Sequence, residues 1–320
     1  MTRVRLLFAL LAGCAATAPQ ERQSPLREVS AWAIQLQGLD RDGALERLEH
    51  ADAGLIVIDP TRTVRGQESF PTHDVVARLR RGRLCFAYLN VGQAEAYRTY
   101  WRSHWRAPTA ERPGKPSYLV TVDPDGWAGN HPVAYWDLRW KGVLWGSPDA
   151  PLDQALADGF DGAFLDWILG FQEPAVVEAA RRAGVDSADA MVALVRDLRL
   201  YARRRRPGFL LLALNGASLL EQRPEFAALV DGIVQESLSF RGRADVKWED
   251  RDAGDHAIPA SGDWSTAALA RRLLACRARG LPVFTLDYAR DPANARRARA
   301  VSVGLGCVPF VSRTPLDRLP

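Results

Sequence analysis

A (β/α)8 barrel is the fold class that this 320-residue sequence predicts, and three observations predict it. Eight apolar runs of strand length alternate with helix-period segments, the pattern of parallel βαβ units. Every run closes on Gln, Asp, Asn or Glu, which gathers polar groups at one end of a parallel sheet, where a barrel carries its active face. No Gly-rich phosphate loop follows the first run, so a doubly wound open sheet is only the runner-up.

The chain opens with Arg3 and Arg5 ahead of the apolar run Leu6 to Leu11, then Ala12, Gly13 and Cys14. That is a secretory signal, too short to span a bilayer. Leu11-Ala12-Gly13-Cys14 resembles the lipobox of bacterial lipoproteins, which implies lipidation of Cys14 and an exported, membrane-anchored protein, periplasmic or on the cell surface. A plain signal peptide cut nearby is the alternative. Residues 1–14 are therefore expected to be signal and lipidation site. Residues 15–29, rich in Ala, Pro, Gln and Ser, read as a flexible tether, and residues 30–313 as the barrel.

The strands expected within it are Ala31 to Gln37, Leu55 to Asp59, Leu84 to Asn90, Val133 to Asp137, Asp161 to Asp166, Phe209 to Asn215, Asp231 to Glu236 and Pro282 to Asp287. A ninth run, Cys307 to Ser312, either adds a C-terminal strand or replaces the short fourth one. Helical patterns cover Asp42 to His50, His73 to Arg81, Ser187 to Arg206, Ser265 to Arg279 and Pro292 to Val303, and two long loops span Tyr100 to Pro132 and Ser237 to Asp263.

One phrase occurs twice. Asp161-Gly162-Ala163-Phe164-Leu165-Asp166 and Asp231-Gly232-Ile233-Val234-Gln235-Glu236 each open a strand with Asp-Gly and end it on an acid five residues later. Identical register sets Asp166 and Glu236 at equal height, with the opening aspartates at the far end as turn-formers. A terminal acid can also cap the next helix, but two in matched register, joined on the rim by Asp59, Asp137 and Asp287, favour a site. Two converging carboxylates are what cleavage of a glycosidic bond requires. Seven of the ten tryptophans fall between Trp101 and Trp167. Trp101 and Trp105 read as an inward-packing helix stripe, whereas Trp136 and Trp167, beside rim acids, are candidate sugar platforms.

Other chemistries fit less well. The five histidines form no zinc spacing, a Mg or Ca site of rim carboxylates is a minor alternative, and no cofactor or metal is expected. Cys85, Cys276 and Cys307 read as buried hydrophobes, with a Cys276 to Cys307 disulfide the alternative. A formal charge of +4 from 42 basic and 38 acidic residues, two of the basic ones in the signal, is too small for a nucleic-acid partner. Arg203 to Arg206 read as a solvated helix end.

Trp32-Ala33-Ile34-Gln35-Leu36, Val57-Ile58-Asp59, Tyr88-Leu89-Asn90 with Gly92, Glu95 and Arg98, and Gly126-Trp127 before Tyr135-Trp136-Asp137 make up the first half of a longer pattern. Gly159-Phe160-Asp161-Gly162 leading to Asp166, Asn215-Gly216, Glu236 and Asp287-Tyr288 complete it. Together they resemble glycoside hydrolase family 114, in particular its bacterial branch, often labelled hypothetical or cysteinyl-tRNA-synthetase-related. No HIGH or KMSKS signature supports the synthetase label. The resemblance implies a TIM barrel with endo-α-1,4-polygalactosaminidase activity, Asp166 as nucleophile and Glu236 as acid/base. Phe160, Leu214, Ser237 and Asp287 depart from the better-known members. Asp59, Tyr88, Asn90, Glu95, Trp136, Asp137, Trp167, Asn215, Asp287 and Tyr288 are the expected substrate-binding residues. The function expected is an exported lipoprotein glycosidase acting with retention on galactosamine-type exopolysaccharide. Its alternatives are a catalytically silent carbohydrate-binding lipoprotein and a barrel hydrolase of another envelope glycan.

Overall fold

In the computed structural model, which describes residues 24–320, eight parallel strands form a nearly closed barrel. They are β1 (Trp32–Gln35), β2 (Leu55–Ile58), β3 (Leu84–Asn90), β4 (Gly162–Asp166), β5 (Leu210–Leu214), β6 (Gly232–Glu236), β7 (Val283–Tyr288) and β8 (Val308–Ser312). Each pairs with its neighbour in sequence. β8 returns beside β1, where the Trp32 indole donates to the Val308 carbonyl at 3.1 Å. Just above the seam, the Leu36 and Gln37 amides both donate to the Leu316 carbonyl.

One expected strand is corrected. Val133 to Asp137 is not a barrel strand: Val133 makes a single bridge to Leu119, and the chain then turns so that Asp137 caps the helix Leu138–Leu144. Its apolar side chains are buried all the same, Val133 and Tyr135 lying in the outer core. A run of five cannot be told from a buried turn by periodicity alone. Val308–Ser312 supplies the eighth strand instead, so the two acids end the fourth and sixth strands with β5 between them.

The helices around the barrel are α1 (Ala44–His50), α2 (Thr72–Leu79), α3 (Leu138–Leu144), α4 (Pro151–Ala157), α5 (Pro174–Arg182), α6 (Ser187–Arg205), α7 (Ala217–Gln222), α8 (Thr266–Ala278) and α9 (Pro292–Gly304). Four of them, α3, α4, α5 and α7, are short segments that helical periodicity did not single out. The two long loops each carry a small antiparallel ribbon, Gln93–Glu95 with Asn130–Pro132 and Phe240–Arg241 with His256–Ala257.

Aromatic rings fill the barrel. Trp32 meets Phe164, Phe284 and Phe310 at centroid distances of 6.5, 5.9 and 5.6 Å. The glycines of the repeated phrase make room for this filling: a Cβ on Gly162 would stand 1.8 Å from the Phe86 ring, and one on Gly232 would stand 2.7 Å from Leu212. Beneath them Leu26, 1% exposed, closes the floor 3.5 Å from the same Gly232 position. The last part of the expected tether is therefore packed structure, with Pro25–Glu28 in a short 3-10 turn. The ordered C-terminus also runs past 313, with Leu316 buried. The expected signal, Cys14 and residues 15–23 lie outside the described residues.

The opening aspartates do more than form turns. Asp161 accepts from both Arg80 Nε (2.9 Å) and Nη2 (2.7 Å), from Arg206, and from the Cys85 amide of β3. Asp231 does the same with Arg199, Arg203 and the Leu211 amide of β5. Each ties a strand start to arginines at or near the ends of the surrounding helices, so half-buried Arg203 and Arg206 belong to ion-pair clamps and not to a merely solvated helix end. Cys85, Cys276 and Cys307 are buried free thiols.

Candidate active site

The C-terminal ends of the strands open into a cleft of about 880 Å³. Asp166 and Glu236 both line it. Strand alternation explains why: each acid follows by two residues a side chain that fills the barrel, Phe164 or Val234, and so points inward above it. The residues directly after the acids, Trp167 and Ser237, have φ of 62° and 53°, and Asn215 at the end of the intervening strand has 54°. Left-handed backbone at non-glycine residues costs about 1–3 kcal/mol each and gathers at functional sites. Trp167 is held there by close backbone approach, since a Cβ on Gly92 would stand 2.4 Å from its carbonyl oxygen.

Each acid has a tyrosine. Tyr88 on β3 donates to Asp166 Oδ2 at 2.6 Å, and the Trp167 amide donates to Oδ1 at 2.6 Å. Tyr288 on β7 donates to Glu236 Oε1 at 2.5 Å, while Asn215 accepts the Glu236 amide at 2.9 Å and reaches Oε2 at 3.5 Å. Burial pushes the Asp166 carboxyl up to about 7, against the bond from Tyr88, and the neighbouring Glu236 charge adds to the rise. Burial likewise raises Glu236, against the bond from Tyr288. The Glu236 charge couples the two carboxyls, so ionisation of Glu236 disfavours ionisation of Asp166.

The remaining expected site residues divide. Asp59, Tyr88, Trp167, Asn215 and Tyr288 line the cleft with the two acids. Asp59 is not a free charge: Arg98 holds both its oxygens at 2.7 and 2.9 Å and Glu95 at 2.7 Å, all buried. Asn90 stands behind Tyr88, its amide 3.4 Å from the phenol oxygen, and also bonds Gln93. Asp287 is buried, and its Oδ1 accepts from the Ser239 and Phe240 amides at 2.6 and 2.9 Å. It pins the loop that follows Glu236, and burial lifts its carboxyl to about 6. Asn90, Glu95 and Asp287 thus support the cleft from behind. Asp137 and Trp136 are not brought to it. Asp137 caps α3 and pairs with Arg139 at 2.6 Å, and Trp136 packs on Tyr135 with centroids 5.2 Å apart. They belong to the segment that is not a barrel strand, so no rim places them.

The cleft also holds residues outside that set. Asp40, Asp125, Glu173 and Asp245 line it, as do Trp127 and Trp264. Of the arginines in its wall, Arg41 is paired with Asp317 at 2.6 Å and Arg98 with Asp59 and Glu95. The cleft is therefore strongly acidic. These acids sit in loops, where no strand register flags them; only Trp127 stands in a quoted motif. No group of three His, Cys, Asp or Glu among the described residues is arranged to hold a metal ion.

Comparison with known proteins places this geometry. The glycoside-hydrolase family GH114 model matches residues 13–317. A protein of Deinococcus radiodurans is 32% identical over 305 residues, covering 94% of this chain and 86% of its own. One of Thermotoga maritima is 26% identical over 296 residues, covering 89% and 81%. Among solved structures, the glycoside hydrolase domain of PelA from Pseudomonas aeruginosa superposes with a TM-score of 0.61 at 22% identity, covering 91% of this chain and 97% of that one. Aspergillus fumigatus Ega3 in complex with galactosamine gives 0.63 at 16%, covering 91% and 93%. These two likenesses share the barrel fold. The family match spans the whole barrel and both acids, and the chain belongs to glycoside hydrolase family GH114.

Proposed function

We propose that this protein cleaves an α-1,4-linked galactosamine-type exopolysaccharide with retention, using Asp166 as nucleophile and Glu236 as acid/base, while anchored to a membrane through lipidated Cys14. The single observation that carries the mechanism is the matched pair of half-buried acids, each with its own tyrosine, at the floor of one cleft.

In the first step ionised Asp166 attacks the anomeric carbon as Glu236 passes its proton to the departing glycosidic oxygen. In the second, Glu236 takes a proton from water, whose oxygen attacks the same carbon and releases Asp166. A partner strand between the acids sets their backbones about 9–10 Å apart, and inward-leaning side chains shorten that gap. The unpaired acids of the cleft favour a cationic amino sugar over a neutral one. The galactosamine bound to Ega3 supports the same substrate class.

Incubation with partially deacetylated galactosaminogalactan and a panel of envelope glycans, followed by mass spectrometry of released oligosaccharides, tests the substrate. Release from the amino-sugar polymer alone is expected, and release only from another glycan overturns the assignment. NMR of the first-formed anomer tests retention. For the anchor, Cys14→Ala is expected to accumulate as unprocessed precursor; normal processing leaves a plain signal peptide.

A further inference from the structure

The outer wall formed by α8 and α9 is rich in exposed cations. Neither helix contains Asp or Glu. Arg271 and Arg277 on α8, and Arg296 and Arg299 on α9, are exposed. Arg271, Arg296 and Arg299 have no carboxylate partner among the described residues. Between these cations stand two of the most exposed aliphatic side chains, Leu274 at 47% and Val303 at 61%. Arg296, Arg299 and Val303 recur at helical spacing along one face of α9, and Arg271 and Leu274 do so on α8. The two helices are tied together at their ends, where Arg277 Nη1 donates to the Leu305 carbonyl at 2.7 Å.

The position of this wall relative to the rest of the chain is the second observation. Arg27, near the start of the described chain, donates from Nη2 to the Gly280 carbonyl at 2.8 Å, just beyond the end of α8. The described chain therefore begins close to the foot of this wall. Residues 15–23 reach at most about 30 Å when fully extended. A lipid on Cys14 would hold the wall within that distance of the bilayer.

We propose that the α8–α9 wall is a docking surface for an anionic phospholipid bilayer. Arginines engage the phosphate headgroups, and Leu274 and Val303 enter the boundary between headgroups and acyl chains. Aliphatic side chains interleaved with cations suit that boundary better than they suit a hydrated anionic polymer. The geometry rests on the lipid-anchor reading of Cys14, but the contact itself does not need the lipid.

The test therefore uses the chain from position 14 with Ser in place of Cys14, which contains every described residue. Sedimentation with vesicles of phosphatidylethanolamine and phosphatidylglycerol is expected to retain the protein at low salt and release it as salt rises. Vesicles of phosphatidylcholine should retain little. Arg271→Glu, Arg296→Glu and Arg299→Glu together should lower partitioning on the order of 100-fold or more, at about fivefold per arginine lost. Glycan cleavage in solution should stay unchanged. The same reversal at Arg47, Arg102 and Arg196, on other faces, should keep most of the binding. Equal retention by neutral and anionic vesicles, or equal loss in the two triple variants, overturns the docking surface. A Cys14→Ala precursor that is processed normally overturns only the lipid anchor.

Discussion

Removing one hydroxyl from each acid's tyrosine should move the pH dependence of catalysis in a way that tells the acids apart. Tyr88 and Tyr288 donate to Asp166 and Glu236 at 2.6 and 2.5 Å. A hydrogen bond to a charged group contributes about 1.5–3 kcal/mol, so loss of either donor raises the pKa of its acid by about 1 to 2. In both Tyr88→Phe and Tyr288→Phe the pair holds its last proton to higher pH, and the alkaline limb of kcat/KM moves up. The plateau separates them. Tyr288→Phe strengthens the proton on Glu236, where it is needed, and leaves the plateau near wild type. Tyr88→Phe draws the proton to Asp166, where it blocks attack, and lowers the plateau about 10- to 100-fold. The assay is kcat/KM for a soluble amino-sugar oligomer across the pH range. An alkaline limb at or below the wild-type position in both variants refutes the hydrogen-bond argument, and a larger plateau loss in Tyr288→Phe reverses the roles of the acids.

Two stability predictions follow from buried charge. Asp231→Ala leaves the buried Arg199 guanidinium and the Leu211 amide without their carboxylate, and should cost roughly 3–5 kcal/mol in urea denaturation; a loss under about 1 kcal/mol would falsify the clamp. Asp166 is protonated more readily in the folded chain than in the unfolded one. Its contribution is therefore fully present below the ordinary aspartate range and lost as pH rises through about 7. Asp166→Asn should make the inactive protein more stable at pH 8 by about 2–4 kcal/mol, with little change at pH 4, and equal effects at the two pH values would count against a desolvated carboxylate.

The barrel and its acids were legible in the sequence because both depend on strand register. A repeated Asp-Gly opening fixes where Asp166 and Glu236 stand, and the same period hides Gly162 and Gly232 inside, where Phe86 and Leu212 need the space. Asn215 also ends an expected strand, whereas Tyr88 and Tyr288 are picked out by the family resemblance and not by strand register. What escaped depends on loops and on tertiary pairing. Asp125, Glu173 and Trp264 reach the cleft from segments with no period, so nothing in their spacing points inward. Val133 to Asp137 has the composition of a strand but packs as a turn under α3. Glu95 and Asp59 look like free rim acids until Arg98 is seen folded between them. Asp287 is the last residue but one of β7, where alternation turns it away from the Tyr288 side and into the loop after Glu236.

The most direct measurement is trapping of the glycosyl-enzyme. In Glu236→Gln the second step lacks its base, so an activated galactosaminyl fluoride, which needs no acid for departure, should load the nucleophile faster than water clears it. Peptide mass spectrometry should then find one hexosaminyl residue esterified to Asp166, with none in the Asp166→Asn, Glu236→Gln double variant. A label on any other residue, or turnover of the fluoride to the inverted anomer with no covalent species, contradicts the two-acid retaining mechanism.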